Sequence, residues 1–392
     1  MEKEEICVIK VGIICEYNPF HNGHLRQFAQ IRARVGSDAA IVCLMSGNFV
    51  QRGDAAIFSK HDRAEAAVRC GADLVLELPL RCALSSAEGF ADGGVRILSR
   101  VGCDYLSFGT ECGDGEALRR ASELELSPDY DRLVRAHLAE GGSYASARGA
   151  ALRELGAEAG ISEPNDILGV EYCKAMLRRG VSMQPLPIAR NGAYDAAKIV
   201  PEAPSASAVR AVIDKPALWL PAVPECLHAL YQSAPRYSVR AGERAMLSRL
   251  RTLPDEAFAA LPFGSEGLWS KLMRNCRACA SVEEIVTATK SKRYAKTRIQ
   301  RMLFCAFLGL TEEMMKQPPA YVRILAFNAR GRSLIRSMRE GFALLNSGEQ
   351  APPSDAAVLE NRAADLYSLF SESPVAPGGA EARSRNRFLP SV

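Results

Sequence analysis

The chain has 392 residues, of which 48% are hydrophobic and 24% charged, with a formal net charge of +4. That length exceeds one ordinary hydrophobic core and predicts two domains with a small appendage, and the composition excludes global disorder. A charge of +4 is too small to argue nucleic-acid binding by itself, so any such argument must come from where the charge sits.

In chain order, the acidic opening Met1-Glu2-Lys3-Glu4-Glu5 lacks the charged-then-apolar order of a secretory signal. From Val11 to about Ile188, short apolar runs alternate with longer amphipathic stretches, the rhythm of βαβ units around a parallel sheet. Strands are predicted over residues 11–15, 39–45, 74–78, 105–108 and 183–188, and helices over 24–35, 60–70, 87–99 and the region after Asn165. The interval 201–224, which contains Pro204, Pro216 and Pro221, discourages long regular elements and is taken as the domain boundary. Beyond it, residues 227–231, 282–289, 299–308 and 333–345 read as helices with no comparable strand alternation. The expected fold class is α/β: a Rossmann-like parallel sheet in residues 1–215, then a mainly helical domain in 216–370. Residues 371–392, rich in Ser, Pro, Gly and Arg, are expected to stay mobile until something holds them. No apolar run approaches the roughly 20 residues of a membrane span. Twelve cysteines without a disulfide-framework spacing, many in apolar runs such as those of Cys15 and Cys43, fit a reducing cytoplasm.

The chemistry concentrates in Val11-Gly12-Ile13-Ile14-Cys15-Glu16-Tyr17-Asn18-Pro19-Phe20-His21-Asn22-Gly23-His24, an apolar strand running through a proline turn into a helix start. At the carboxyl end of a first parallel strand, a ligand sits in the sheet crevice while helix amides face an anion. His21 and His24, three apart, share a face of the first turn and point together at phosphates, and Gly23 leaves room for a nucleotide or for backbone. Imidazole donors and helix amides can stabilise charge on an α-phosphate and a leaving pyrophosphate, with Mg²⁺ sharing that work. Two histidines near a turn are, alone, ordinary polar residues; the long string is what makes the pattern specific.

That string, together with Met45-Ser46-Gly47-Asn48-Phe49-Val50-Gln51-Arg52-Gly53, resembles the tRNA(Met) cytidine acetate ligases, which have an HxGH nucleotidyltransferase-type catalytic domain. The likeness continues through Ala72-Asp73-Leu74-Val75-Leu76-Glu77-Leu78-Pro79, Phe108-Gly109-Thr110-Glu111, Pro164-Asn165-Asp166-Ile167-Leu168-Gly169, Lys292-Arg293-Tyr294, Thr297-Arg298-Ile299-Gln300-Arg301 and Phe327-Asn328. The resemblance implies a two-stage reaction. Acetate attacks ATP to give acetyl-adenylate and pyrophosphate, and the N4 amine of the wobble cytidine of elongator tRNA(Met) then takes the acetyl group. It implies His21 and His24 as catalytic residues, and an ATP site made of Ile14, Cys15, Glu16, Tyr17, Asn18, Pro19, Phe20, His21, Asn22, Gly23, His24, Leu25, Arg26 and Gln27 with Gly109, Asn165 and Arg190. Its partners are tRNA(Met) and acetate, with no membrane.

The residues also carry plainer readings. Gly109 is more commonly just a turn after a strand, while Asn165 is equally a helix cap and Arg190 a solvated arginine. Ser205, Ser207 and Arg210 resemble a second phosphate-contacting motif, with a helix cap as the competing account of the serines. The chain departs from the family at Gln27, where a third histidine is frequent, at Asp166, where Asn is frequent, and in a shortened Arg190-Asn191-Gly192-Ala193-Tyr194.

The stretch from Lys290 to Arg301 holds six cations, Lys290, Lys292, Arg293, Lys296, Arg298 and Arg301, with Tyr294 and no acid. That is the footprint of phosphate contact with one base-stacking ring, and equally of a solvated helix face, with a ring packed beneath a helix as the more common outcome for Tyr294. Arg323, Arg330, Arg332, Arg336 and Arg339 are candidates to extend the track. Cys276 and Cys279 have a CxxC spacing without a second ligand pair, so no structural zinc is expected. Two competing functions stay open at this point: a nucleotidyltransferase acting on a small phosphorylated substrate, and a non-catalytic RNA-binding protein that kept the fold.

Overall fold

The computed structural model describes residues 8–141, 144–157, 161, 163–190, 199–202, 204–265, 267–291, 293–374 and 376–390. Asn191 to Tyr194 of the stretch that departs from the family, and Lys292, lie outside the described residues.

Five parallel strands form the sheet's main run: β1 (Lys10–Cys15), β2 (Ala40–Ser46), β5 (Leu74–Leu78), β6 (Tyr105–Thr110) and β7 (Gln184–Ala189). Between β2 and β5 lies a small antiparallel ribbon, β3 (Phe49–Val50) with β4 (Asp54–Ala55). The side-chain period of two sends alternate residues of each strand to opposite cores. Val11, Ile13 and Cys15 of β1 join Ile41, Cys43 and Met45 of β2 on one face, packed with Phe28 and Ile31 of the Asn22–Val35 helix. Ile14, Val42 and Leu44 face the other way, onto Val95 and Leu98 of the Ala87–Arg100 helix. Covered on both faces, β2 is buried at all seven positions. The prolines of β7, Pro185 and Pro187, are tolerated because β7 pairs with β6 alone, at the sheet's edge.

The second half departs from the expectation of helices alone. Strand β8 (Tyr321–Phe327) inserts beside β5, antiparallel to it, and carries β9 (Ala343–Asn346) and β10 (Arg387–Phe388) as parallel neighbours. The full order is β10-β8-β5-β2-β1-β6-β7, with β9 also on β8. The predicted helix over 333–345 is a helix at Ala329–Gly341 followed by β9, because Phe342 and Leu344 turn into the core beside β8. A division at residue 215 therefore marks a change in sequence character that the sheet itself crosses.

The other segments downstream of residue 215 are mainly helical. Met246, Leu250, Leu272, Ile285, Ile299, Leu303 and Phe307 build a separate core that also takes Phe49 of β3 and Phe370. The segment expected to be mobile is held: Glu381 is 5% exposed, its carboxylate meets Lys60 Nζ at 2.6 Å and Arg323 Nε at 3.1 Å, and β10 pairs with β8. Lys60 also meets Glu77 of β5 at 2.7 Å, so two cations and two carboxylates from four distant segments share one buried site. Desolvation opposes each charge there, yet the paired groups hold Lys60 above its usual range and Glu381 below its own.

Candidate active site

The strand order reverses direction at β1, with β2 on one side and β6 on the other, and the crevice beyond the carboxyl ends of β1 and β6 is where such sheets take ligands. A cleft of about 330 Å³ opens there. It is lined by Ile14 to Asn18, His21, Gly23, His24, Arg26 and Gln27 from the first motif, by Gly109, Asn165 and Arg190, and by Ser205. Phe90, Phe108, Leu168, Tyr172 and Ile188 give it an apolar wall. Its charged lining is Arg26, Arg52 and Arg190 against Glu16, a balance that suits a polyanion with an aromatic base.

The turn after β1 is fixed from several sides. Tyr17 adopts a positive φ of 46°, uncommon for a side chain of this size, and is over-determined by its packing. It is 2% exposed, its ring lies 4.9 Å from Phe20 and 4.8 Å from His24, and its hydroxyl meets Cys43 Sγ at 3.5 Å. Asn18 Oδ1 accepts from Ile57 N at 2.8 Å, and the Asn18 carbonyl accepts from Arg210.

His21 caps the Asn22–Val35 helix reciprocally with His24. Gly23 N donates to His21 Nδ1 at 3.1 Å, and His21 N donates to His24 Nδ1 at 3.2 Å. Both rings use Nδ1 as an acceptor, so each neutral imidazole carries its proton on Nε2. The rings stack with centroids 3.7 Å apart. Burial, then the charges of Arg190 and Arg210, pull His21 down to about 3; burial, then His21 and Arg190, hold His24 well below its usual range. The pair is therefore two uncharged N–H donors at neutral pH. A Cβ on Gly23 would lie 3.0 Å from His21 Cε1, so the tight neighbour that glycine accommodates is the capping imidazole.

Other members of the motif serve the frame. Phe20 is fully buried and its N–H donates to Tyr231 Oη at 3.1 Å. Asn22 ties Pro201 O and Pro221 O, each at 3.0 Å, and so fastens the proline-rich interval to the first helix. Pro19, Phe20, Asn22 and Leu25 do not line the cleft, and Leu25 is 38% exposed. Arg26 donates to Glu202 O, and Gln27 Nε2 to Ser107 Oγ at 3.3 Å. Ser205 caps the short Ala206–Ala211 helix through Ala208 N, while Ser207 accepts from Arg210, and neither Ser207 nor Arg210 lines the cleft.

Two lining residues, Gln51 and Arg52, carry no assignment from sequence. Their signal was the Met45–Gly53 string, which leaves β2 at the same end of the sheet as the HxGH turn. Gln51 N donates to Glu16 Oε1 at 2.8 Å. Arg63, fully buried, donates to the carbonyls of Phe58, Glu16, Ser46 and Gly47, locking both motifs together. An arginine in an amphipathic helix reads from sequence as solvated, so nothing pointed to it.

The basic stretch divides. Lys290, Arg293 and Lys296 are exposed. Arg298 donates to Phe263 O at 2.9 Å through Nε and to Ser265 Oγ at 3.1 Å. Arg301 reaches Gln51 O at 3.4 Å and lies over the Phe263 ring. Tyr294 packs against the helical core, with the Arg298 guanidinium 5.3 Å from its ring centre. Arg323 is no part of a surface track: it is 3% exposed and bound to Glu381 and Glu349 O. Arg330 donates to Asp38 O at 3.1 Å, and Arg332 lies over the Phe388 ring.

Gly53 joins this stretch to the cleft. At φ 71° it sits so close to the Lys296–Leu308 helix that a Cβ would lie 2.4 Å from Arg301 N. Among the described residues, no group of three or more His, Cys, Asp or Glu side chains is arranged to hold a metal ion, and no helix is long and apolar enough to cross a membrane.

Residues 9–380 match the model of the HIGH Nucleotidyl Transferase family. The chain is 35% identical to a tRNA(Met) cytidine acetate ligase of Acetivibrio thermocellus over 93% of its own length and 95% of the relative's. It is 33% identical to the protein of that name from Caldanaerobacter subterraneus subsp. tengcongensis, over 84% and 86%. Among solved structures, Thermotoga maritima TmcAL without ligand superposes with a TM-score of 0.88 at 28% identity, and its form bound with alpha-thio ATP with 0.87; each covers 98% of this chain and 100% of the other.

Proposed function

We infer that this chain, which belongs to the tRNA(Met) cytidine acetate ligase family of HIGH nucleotidyl transferases, uses ATP and acetate to form N4-acetylcytidine at the wobble position of elongator tRNA(Met). The observation that supports this best is the pair of stacked, uncharged imidazoles facing a cleft rich in arginine at the sheet's switch point. In the first stage an acetate oxygen attacks the α-phosphorus of ATP, the bond to the β-phosphate oxygen breaks, and pyrophosphate leaves. His21 and His24 donate Nε2–H bonds to the charge that builds there, and Arg190 adds its guanidinium. The apolar wall holds the adenine. Mg²⁺ bound to the phosphates would add counter-charge to what Arg190 and the imidazoles supply.

In the second stage the cytidine N4 attacks the acetyl carbonyl, the amine gives up a proton, and AMP departs. Holding the two reactants together supplies much of this step. Exposed Lys290, Arg293 and Lys296, with Tyr294 beside them, grip the RNA backbone, and the Gly53 contact brings that surface up against the cleft. A tRNA substrate supports a cytoplasmic location.

The test is mass-spectrometric detection of N4-acetylcytidine after incubation with ATP, Mg²⁺, acetate and tRNA(Met) transcript. Product from the wild type and none from His24→Ala is the expected result; no product from either would sink the reading.

A further inference from the structure

We propose that Glu111 is a positioning residue that fixes the Asn165 amide with its oxygen towards the cleft, making Asn165 Oδ1 an obligatory acceptor for a hydrogen-bond donor of the bound nucleoside. The inference deepens the ATP-site reading above and rests on it.

The frame starts at Asp166, which is fully buried. Its Oδ1 accepts from Thr110 Oγ1, from Glu111 N at 2.9 Å and from Cys112 N at 3.1 Å. The turn after β6 is thereby fastened to the first turn of the Pro164–Arg179 helix, and Glu111 is delivered to the side of Asn165. Asn165 Nδ2 then donates to Glu111 Oε1. Asn165 is not the helix cap, since Glu163 occupies that position, so its side chain is left for another task.

An amide can be turned over without changing its shape, but a carboxylate only accepts, and the group beside it must therefore be the NH₂. That settles which end of the amide Glu111 holds and leaves Oδ1 as the other end. Asn165 lines the cleft, and among the described residues nothing donates to its Oδ1. The free end is an acceptor, open to a donor of the bound nucleoside. An ATP nucleoside offers two kinds, the exocyclic N6 amine of adenine and the ribose hydroxyls. A site with a committed polar atom rejects an analogue that lacks the partner, because the atom is left unpaired.

The experiment is calorimetric titration of the full chain with ATP, 2′-deoxyATP, 3′-deoxyATP and purine riboside triphosphate, repeated with Glu111→Gln and Asn165→Ala. The wild type should bind one analogue about tenfold more weakly than ATP, and which one identifies the donor. In Glu111→Gln the neighbour can present either an oxygen or an NH₂, so Asn165 is released to turn and the preference should fall to within about threefold. Asn165→Ala should lose it as well, which covers the case in which the Gln variant folds poorly. A generally damaged site would weaken all four ligands together and keep the preference. ATP binding with no preference in the wild type, or a preference that survives in Glu111→Gln, would overturn the proposal alone. Failure of the wild type to bind any of the four would remove the nucleotide reading and this inference with it.

Discussion

The capping imidazoles make a measurable demand on stability at low pH. His21 is lowered from 6.5 to about 3, chiefly by burial. Below pH 6.5 the unfolded chain takes up a proton at this residue while the native protein does not, so native stability falls with pH until about 3. At pH 5 the unfolded state lies 1.5 pH units below its own pKa, which corresponds to a loss of about 2 kcal/mol from this residue. The perturbation is His21→Gln, which keeps an acceptor for Gly23 N–H and removes the titration. Removing it also withdraws one cause of the lowering at His24, which adds to the effect in the same direction. Urea unfolding followed by the fluorescence of buried Trp219 gives the stability of both proteins at pH 7.5 and pH 5. The difference between them should move in the variant's favour by about 2 kcal/mol or more on acidification. A difference that stays constant over that interval would refute the account of the buried, uncharged pair.

Three further outcomes follow from the geometry. Gly53→Ala places a Cβ 2.4 Å from Arg301 N at φ 71°, so it should cost at least about 2 kcal/mol in urea unfolding and weaken ATP in calorimetry, because Gln51 and Arg52 are displaced from the cleft. Glu381→Gln leaves Lys60 and Arg323 short of a buried partner and should destabilise by about 3 kcal/mol, and a loss below about 1 kcal/mol would show the tail to be dispensable. Arg293→Glu with Lys296→Glu should weaken tRNA binding and lower the slope of log affinity against log salt by about 1.5, with acetate-dependent exchange of pyrophosphate into ATP unchanged.

Much of the site was legible because adjacent residues carry it. A β-strand, a turn and a helix start within one short string place His21, Gly23 and His24 at the end of β1 whatever the remainder of the chain does. The alternation of apolar runs with amphipathic stretches likewise identified β1, β2, β5, β6 and β7, since a parallel strand covered on both faces is a run of apolar residues wherever it occurs. Gly109, Asn165 and Arg190 came from resemblance, and the structure lines one cleft with all three.

What the sequence left undecided depends on contacts between distant segments. Residues 321–327 have the composition of a strand, yet their place beside β5 and their antiparallel direction follow from packing. Charge is the sharper case. Arg63, Arg298, Arg301 and Arg323 are alike as letters to the solvated arginines around them, and only the fold turns them inward to carbonyls and to Glu381. Local periodicity and short motifs set the sheet and the histidine pair, because both depend on neighbours a few residues away. Tertiary structure alone decided which cations are buried against carbonyls and carboxylates and which stay exposed, because burial and pairing are properties of the whole chain.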